Sequence, residues 1–479
     1  MKLINKTYYI KFVVFCTVIS TIYLSACKKY IEVPPPKMSV EAGELFRDSS
    51  ATLSSVLHLY TETPEIIGVF ASLSADEVLM PLSGIMGSII GAGNVQSNKL
   101  NALIDGYPVG QNIGAAVYTP LYHKINTANI CIDGITKSSA YGTAFKNQLI
   151  GECKFWRAWS YFYLANLFGN VPLNLSPDLN ANKVLTNTPV TEIYRQIIAD
   201  LTDARNLLSS TNMSTEKIRV NKAAVTALLA RVYFYQQNWA AAHTESNTLL
   251  TSGTYTLEPD AANVFLKTSR ETIFQVQTYG NTPNITGVTL TPSFYLPLSG
   301  VLMNSHFNPN LLSSFQAGDL RRTKWAASFM DFTTFQTFTY PAKYKHTNQT
   351  VSGNEYIVMF RLAEQYLIRA EAAAHLGRLS DAESDLHVVR SRAGLSTRVA
   401  LPDMQTALSA LEHERRIELF SEWGDRWLNL KRTNRIHTVL PITKASSVPN
   451  YKWEPYQALY PLPTQEIFAN RNITQNPGY

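Results

Sequence analysis

The sequence predicts a mainly α protein, a stack of tetratricopeptide-like helical hairpins with a loop-rich, small-β-containing part set between them. Three observations carry this. Residues 223–242, AAVTALLARVYFYQQNWAAA, recur in outline 140 residues later, so that Ala223, Ala230 and Ala242 correspond to Ala363, Ala370 and Ala382. Small residues at that spacing let two antiparallel helices approach closely, and such a hairpin buries its apolar face only by stacking on neighbours. Several other runs of helix length place apolar residues on one face; Ile193, Ile197, Leu201, Ala204 and Leu208 are one such stripe. Between the two copies, from Thr254 to Tyr356, the pattern changes to short β-prone pieces, ETIFQVQTY and DFTTFQTFTY, separated by Pro, Gly and Asn.

The first residues read as a leader. Lys2, Lys6 and Lys11 precede an uncharged, mostly apolar run from Phe12 to Ala26 that closes on Leu24-Ser25-Ala26-Cys27. That run is shorter than the roughly 20 residues a spanning helix needs, and a short apolar core ending in small residues is a secretory signal. The leucine three positions before a cysteine resembles a bacterial lipobox, in which the cysteine becomes the lipid-bearing N-terminus; the alternative is a plain signal with a chance cysteine. Residues 1–26 are therefore expected to be removed and Cys27 to carry the lipid. Loss of three lysines and no acids takes the formal charge from +6 to +3. A body so nearly neutral has no electrostatic footprint for nucleic acid. Cys131 and Cys153 remain, read as buried thiols, since one optional pair is no disulfide framework.

In order, residues 27–38 form a tether stiffened by Pro34-Pro35-Pro36. An N-terminal part, 39–253, follows. It opens on a helix from Ser39 to Tyr60, with Ser39 as N-cap. A loop region at 71–111 has the Gly-rich core SGIMGSIIGAGN and little periodicity. Helices are then expected at Tyr118–Thr136, Asn147–Phe168 and Thr191–Leu208 before the Ala223–Ala242 hairpin. Phe155, Trp156, Trp159 and Tyr163 repeat at helical spacing and read as core. The C-terminal part, 254–479, holds the loop and β insert at 254–355 and helical hairpins at 356–431. Its runs are Tyr356–Leu376, Ser380–Ala393 capped by Gly394, and a single run Met404–Lys431, followed by a Pro-rich tail.

Catalytic motifs are missing. There is no phosphate-binding loop, nucleophile elbow or zinc-protease helix, and Gln96 stands where a dinucleotide motif opened by Gly91-Ala92-Gly93 needs its third glycine. The calcium-loop start at Asp178, Asn180 and Asn182 fails at Lys183 and Pro189. Glu412-His413-Glu414-Arg415-Arg416 reads as an ion-pair face, and Asp76-Glu77 as neighbours that do not share a site. The expectation is a non-enzyme without cofactor or metal.

Six pieces in order resemble the SusD/RagB family of outer-membrane nutrient-binding lipoproteins: CKKYIEVPP after the leader, ASLSADEV at Ala71–Val78, Phe155–Leu173, Arg361–Leu395, Glu414–Arg432, and the closing YPLP with QNPGY. The resemblance implies a scaffold of about four tetratricopeptide-like hairpins and a surface-exposed, lipid-anchored protein of the outer membrane. It implies an oligosaccharide or, less commonly, peptide ligand passed to a SusC-like TonB-dependent transporter. Arg415, Glu418, Arg426 and Trp427 are then structural ties between helices.

Sugar sites combine flat aromatic rings with Asn and Arg, and loops on a rigid scaffold are their natural place. The candidates are Tyr107 in the first loop region and Tyr279, Tyr295 and Trp325 in the second, with Asn94, Asn98 and Arg321 as polar contacts. The first loop region has no tryptophan and its apolar part is rich in Gly, Ile and Met, which favours the peptide alternative. A glycosidase would need two carboxylates roughly 5–9.5 Å apart across a cleft.

Overall fold

The computed structural model describes residues 45–61, 65–80, 92–100, 114–278, 295, 305–332, 335–345 and 353–479. Helices dominate. The scaffold begins with α1 (Ser49–Thr61) and α2 (Ile66–Ser74), followed by the short α3 (Ala92–Gln96). The continuous stack is α4 (Thr119–Lys137), α5 (Thr143–Phe168), α6 (Val190–Leu207), α7 (Lys222–Tyr235) and α8 (Trp239–Leu250). Each helix packs on the one before it, and α8 then packs on α10 (Leu362–His375), more than a hundred residues on. The helices α11 (Leu379–Arg392) and α12 (Met404–Glu418) continue the stack against α10. The repeat is therefore interrupted by an insertion, residues 251–361, that leaves after α8 and returns at α10.

The alanines explain the close packing. Ala230 and Ala242 meet Ile368 and Ala372 in one buried cluster, while Ala370 and Ala382 sit in the next with Leu386 and Leu411. A larger side chain at these positions would push helices apart. The aromatic stripe of α5 is core, as its spacing indicates: Phe155, Trp156, Trp159 and Tyr163 are all buried, the rings meeting mostly edge to face. Cys131 and Cys153 are buried free thiols.

The insertion is closed at its base by β4 (Thr272–Val276) paired antiparallel with β8 (Ile357–Arg361), both wholly buried. Its other strands are β5 (His306–Phe307), which pairs with β1 (Val78–Leu79), and the hairpin β6 (Ala326–Asp331) with β7 (Gln336–Pro341). A one-turn helix α9 (Leu320–Lys324) leads into β6. A further small pair, β2 (Val171–Pro172) with β3 (Asn187–Thr188), lies after α5. The chain closes with α13 (Asp425–Arg432), α14 (Ile436–Thr443) and α15 (Thr464–Ala469). Among the described residues no helix is long and apolar enough to cross a membrane.

Four expectations are corrected. The helix expected over Tyr356–Leu376 begins only at Leu362, because Ile357–Arg361 pair with β4 as β8, so the insertion runs to 361 and not 355. The helix expected from Ser39 to Tyr60 opens outside the described residues, and within them it is broken at residues 46–48; α1 starts after Asp48, whose carboxylate accepts from the Ser50 and Ala51 N–H groups at 3.1 and 3.0 Å. The loop region does not begin at Ala71: residues 71–74 finish α2, and Ala71–Leu79 are all buried. The run Met404–Lys431 is two helices, broken at Leu419–Gly424. There Ser421, Trp423 and Gly424 take positive φ, and a Cβ on Gly424 would stand 2.5 Å from that of Ala71. Gly394, at φ +85, ends α11, and the Leu395 N–H donates to Arg390 O across it at 2.9 Å.

Candidate functional site

The insertion is riveted to the scaffold by a buried ionic cluster. Arg321 of α9 donates to Asp319 at 2.8 Å, to Glu414 at 2.5 Å and to Glu418 at 2.8 Å, the last two on α12. Arg361, at the end of β8, donates to Glu418 at 2.6 Å, to Glu271 at 3.1 Å and to Glu422. Arg392 of α11 joins Glu271 at 2.9 Å and Glu418. Glu418 is thus held by three guanidinium groups. Burial alone would raise its pKa, but Arg392, Arg361 and Arg321 together hold it well below the usual carboxylate range. Lys343 closes the cluster, donating to the Glu418 and Phe420 carbonyls at 2.8 Å each, and burial pushes its ammonium down to about 8.

A second cluster ties the first residues of the fold to the last helices. Asp76 accepts from Arg426 Nε and Arg416 Nη2, both at 2.8 Å, and Arg426 also reaches Glu412 at 3.0 Å. Glu77 faces elsewhere, accepting the Ser421 N–H at 3.2 Å. The two adjacent acids therefore have different partners, as expected. The Glu412–Arg416 run is an ion-pair face, but a buried one at Glu414 and Arg415.

Most residues chosen for a ligand prove to be anchors. Trp325 is 1% exposed; its indole N–H donates to Ala261 O at 2.7 Å, and its ring lies among Phe265, Phe420 and the cations of the first cluster. Arg321 is fully buried, as described. Asn98 sits at φ +56, buried, donating to Ser74 O at 3.0 Å and accepting from Lys444 and the Tyr451 hydroxyl at 3.0 and 2.9 Å. Tyr295 is buried as well. In this structure none of these four offers an open face to a ligand. Loop feet need aromatic area and satisfied polar groups as much as a sugar site does, so residue type alone did not separate them. Asn94, on α3, is half-buried and keeps access to solvent. Tyr107, Tyr279 and Cys27 lie outside the described residues.

A set not singled out in the sequence is brought together instead. In the β6–β7 register Phe329 lies opposite Phe338 and Ala327 opposite Tyr340, so the three rings share one face. All three are half-buried. The His306 ring packs against Phe338 at 4.9 Å, and β5 carries it next to Leu79 of β1. One residue on, the Met80 N–H donates to Gln96 of α3 at 3.1 Å, two positions from Asn94. The aromatic face, His306 and the Asn94 helix are therefore consecutive neighbours. Burial pushes the pKa of the His306 imidazole down. The opposite face of the hairpin carries Ser328, Thr337 and Thr339, and its tip exposes Met330, Phe332 and Phe335, the last 79% open. The signal was present in DFTTFQTFTY, where Phe338 and Tyr340 alternate with threonines. Among the described residues no group of three or more His, Cys, Asp and Glu side chains is placed to hold a metal ion.

Two family models match: one described as starch-binding and associating with the outer membrane, over residues 87–234, and the SusD family model over residues 230–479. A SusD-like protein of Formosa agariphila is 25% identical, the match spanning 99% of this chain and 100% of that one. Among solved structures, a SusD superfamily protein of Bacteroides vulgatus superimposes with a TM-score of 0.75 at 21% identity, covering 91% of this chain and 100% of that one. A surface glycan-binding protein of Bacteroides thetaiotaomicron, solved in complex with laminarihexaose, gives 0.73 at 17% identity over 89% and 99%.

Proposed function

The chain belongs to the SusD/RagB family, and on that premise we propose that it is a binding protein, not a catalyst, that takes a neutral oligosaccharide on its insertion and delivers it to a SusC-like TonB-dependent transporter. The laminarihexaose complex of one structural neighbour and the starch-binding description of one matching model support the ligand class. The observation that carries the reading is the aromatic face of the β6–β7 hairpin. Phe329, Phe338 and Tyr340 share one face of the hairpin with His306 packed against it, an apolar surface on which pyranose rings can lie, and Asn94, on the helix that Gln96 ties to Met80, is the proposed source of hydrogen bonds to hydroxyls. The described carboxylates of the insertion base are consumed in ion pairs with arginine and lysine, which leaves them poorly suited to acid–base work on a sugar. Tyr107 and Tyr279 remain proposed contacts from the adjoining loops. Cys27 is proposed as the lipid anchor that holds the chain on the outer membrane, and the outer faces of the helical hairpins as the transporter's docking surface.

The test is affinity for a panel of neutral oligosaccharides, laminarihexaose and maltoheptaose among them, measured on wild type and Phe338→Ala. The variant should bind about tenfold more weakly or worse with an unchanged melting temperature; equal affinity overturns the assignment. The apolar tip, Met330, Phe332 and Phe335, favours a second reading in which the ligand is a peptide. Peptides co-purifying with the protein, and no oligosaccharide binding, would decide for it.

A further inference from the structure

A second cleft lies at the far end of the scaffold. It encloses about 530 Å³ where the α7–α8 turn, the C-terminus of α10, the outer face of α12 and the end of α13 converge. The insertion leaves from the C-terminal end of α8 and returns at the N-terminal end of α10. Trp239 and His375, which line the cleft, stand at the opposite ends of those same helices. At 1.5 Å rise per residue this separates the cleft from the insertion by roughly 16–20 Å.

We propose that this cleft is a second carbohydrate site, taking a neutral pyranose unit independently of the insertion. One wall is flat and aromatic: the Trp239 and His375 rings stack with centroids 3.8 Å apart and planes 4° from parallel. The rest of the lining combines neutral hydrogen-bonding groups, chiefly Gln405, Ser409 and Asn434, with two glutamates and two arginines. Charge is present but spent. Arg432 donates to Glu371 at 2.6 Å, while Glu412 accepts from Arg426 at 3.0 Å and from Arg435. An anion would find both lining guanidinium groups paired, and a cation both carboxylates. An apolar peptide side chain would strand the amides and hydroxyls. A polyhydroxylated ring matches both the aromatic wall and the polar rim, whose charges are paired with each other, and the volume falls within the roughly 300–1,000 Å³ usual for small-ligand sites. The cleft is held open by a fixed frame: Gln237, at φ +57, donates its side-chain N–H to Arg432 O at 3.1 Å, tying the α7–α8 turn to α13.

The experiment titrates the full chain with neutral oligosaccharides of glucose, mannose, galactose and xylose, comparing wild type, Ser409→Trp, Trp239→Ala and Phe338→Ala. Ser409 is exposed on α12, so a tryptophan there fills the cleft without disturbing the core should Trp239→Ala prove unstable. For at least one sugar, wild type should show two classes of site, one weakened about tenfold or more by Ser409→Trp and the other by Phe338→Ala. Full wild-type stoichiometry in Ser409→Trp and Trp239→Ala, for every sugar bound, overturns the second site and leaves the insertion site standing. Binding lost in Ser409→Trp and kept in Phe338→Ala does the reverse. If no sugar binds at all, both fall. Should Ser409→Trp bind sugars normally and instead lose co-purification with an outer-membrane transporter, the cleft is a protein contact and the proposal is wrong.

Discussion

Asp76 and Glu77 are adjacent carboxylates with opposite fates. Arg426 and Arg416 outweigh the cost of burial at Asp76 and hold it well below the usual carboxylate range. Glu77 has no guanidinium against it, and burial, only partly offset by Ser72 and the Ser421 backbone N–H, raises it from 4.5 to about 7. Between those two values the folded chain keeps a proton that the unfolded chain has released, so this group's contribution to stability falls as pH rises through the window. Glu77→Gln removes the term. Its stability relative to wild type should therefore grow from pH 4.5 to 7, by at most about 3 kcal/mol, and level off above. Urea denaturation across that range reads this; a constant difference would show that Glu77 is ionised when buried. Arg321 gives a second expectation at this scale. Arg321→Met leaves Asp319, Glu414 and Glu418 short of a partner and should cost roughly 3–5 kcal/mol. A stable Arg321→Met protein with weakened glycan binding would restore that side chain to the ligand site. The sequence could not separate these roles: arginine, asparagine and tryptophan in a loop look alike whether they face a ligand or pin the loop's feet, and the partners that decide lie far away. Arg426 reaches Asp76 across 350 positions.

Element by element, periodicity was informative where one face is buried. The helices α4 to α8 and α11 lie close to where their apolar stripes and caps place them, whereas α10 starts six residues later than expected because Ile357–Arg361 pair as β8. The break between α12 and α13 was not legible, because Ser421, Glu422 and Trp423 carry no proline and the lone Gly424 looked tolerable within a helix. It is fixed by a tertiary contact, the approach of Gly424 to Ala71. Gly424→Ala must escape both the positive φ and that contact, and should lower stability by about 1–3 kcal/mol; a calorimetric melt unchanged from wild type would mean the break is not required. For the β6–β7 hairpin only β7 was legible, within DFTTFQTFTY, and neither β6 nor the use of the hairpin was. Alternation says which residues share a face, but only β5, arriving with His306, says which face meets the site. Serine at Phe332 and Phe335 together should leave glycan affinity within about twofold if the strip alone binds sugar; loss of affinity would move the site to the tip.

Across the whole molecule, one repeat scaffold carries an insertion between two of its hairpins. The repeat was readable from alanines spaced for close helix contact, and the insertion from the change of period after Thr254. The clamp that joins them was not, since charged residues on helices ordinarily read as solvated faces. On the proposed reading the insertion takes ligand, the cleft beside Trp239 takes a second sugar unit, and the outer hairpin faces away from that cleft meet the partner. An aspartate substitution at the exposed Val388 of the hairpin surface should break co-purification with a transporter and leave glycan affinity unchanged. Loss of both together would show that the two surfaces are not separate.

The most direct test of the ligand surface is hydrogen–deuterium exchange of the chain, free and saturated with the tightest-binding oligosaccharide of the panel. Slowed exchange is expected in residues 326–341 and 92–98. A bound oligosaccharide that leaves both segments exchanging as in the free protein would contradict it.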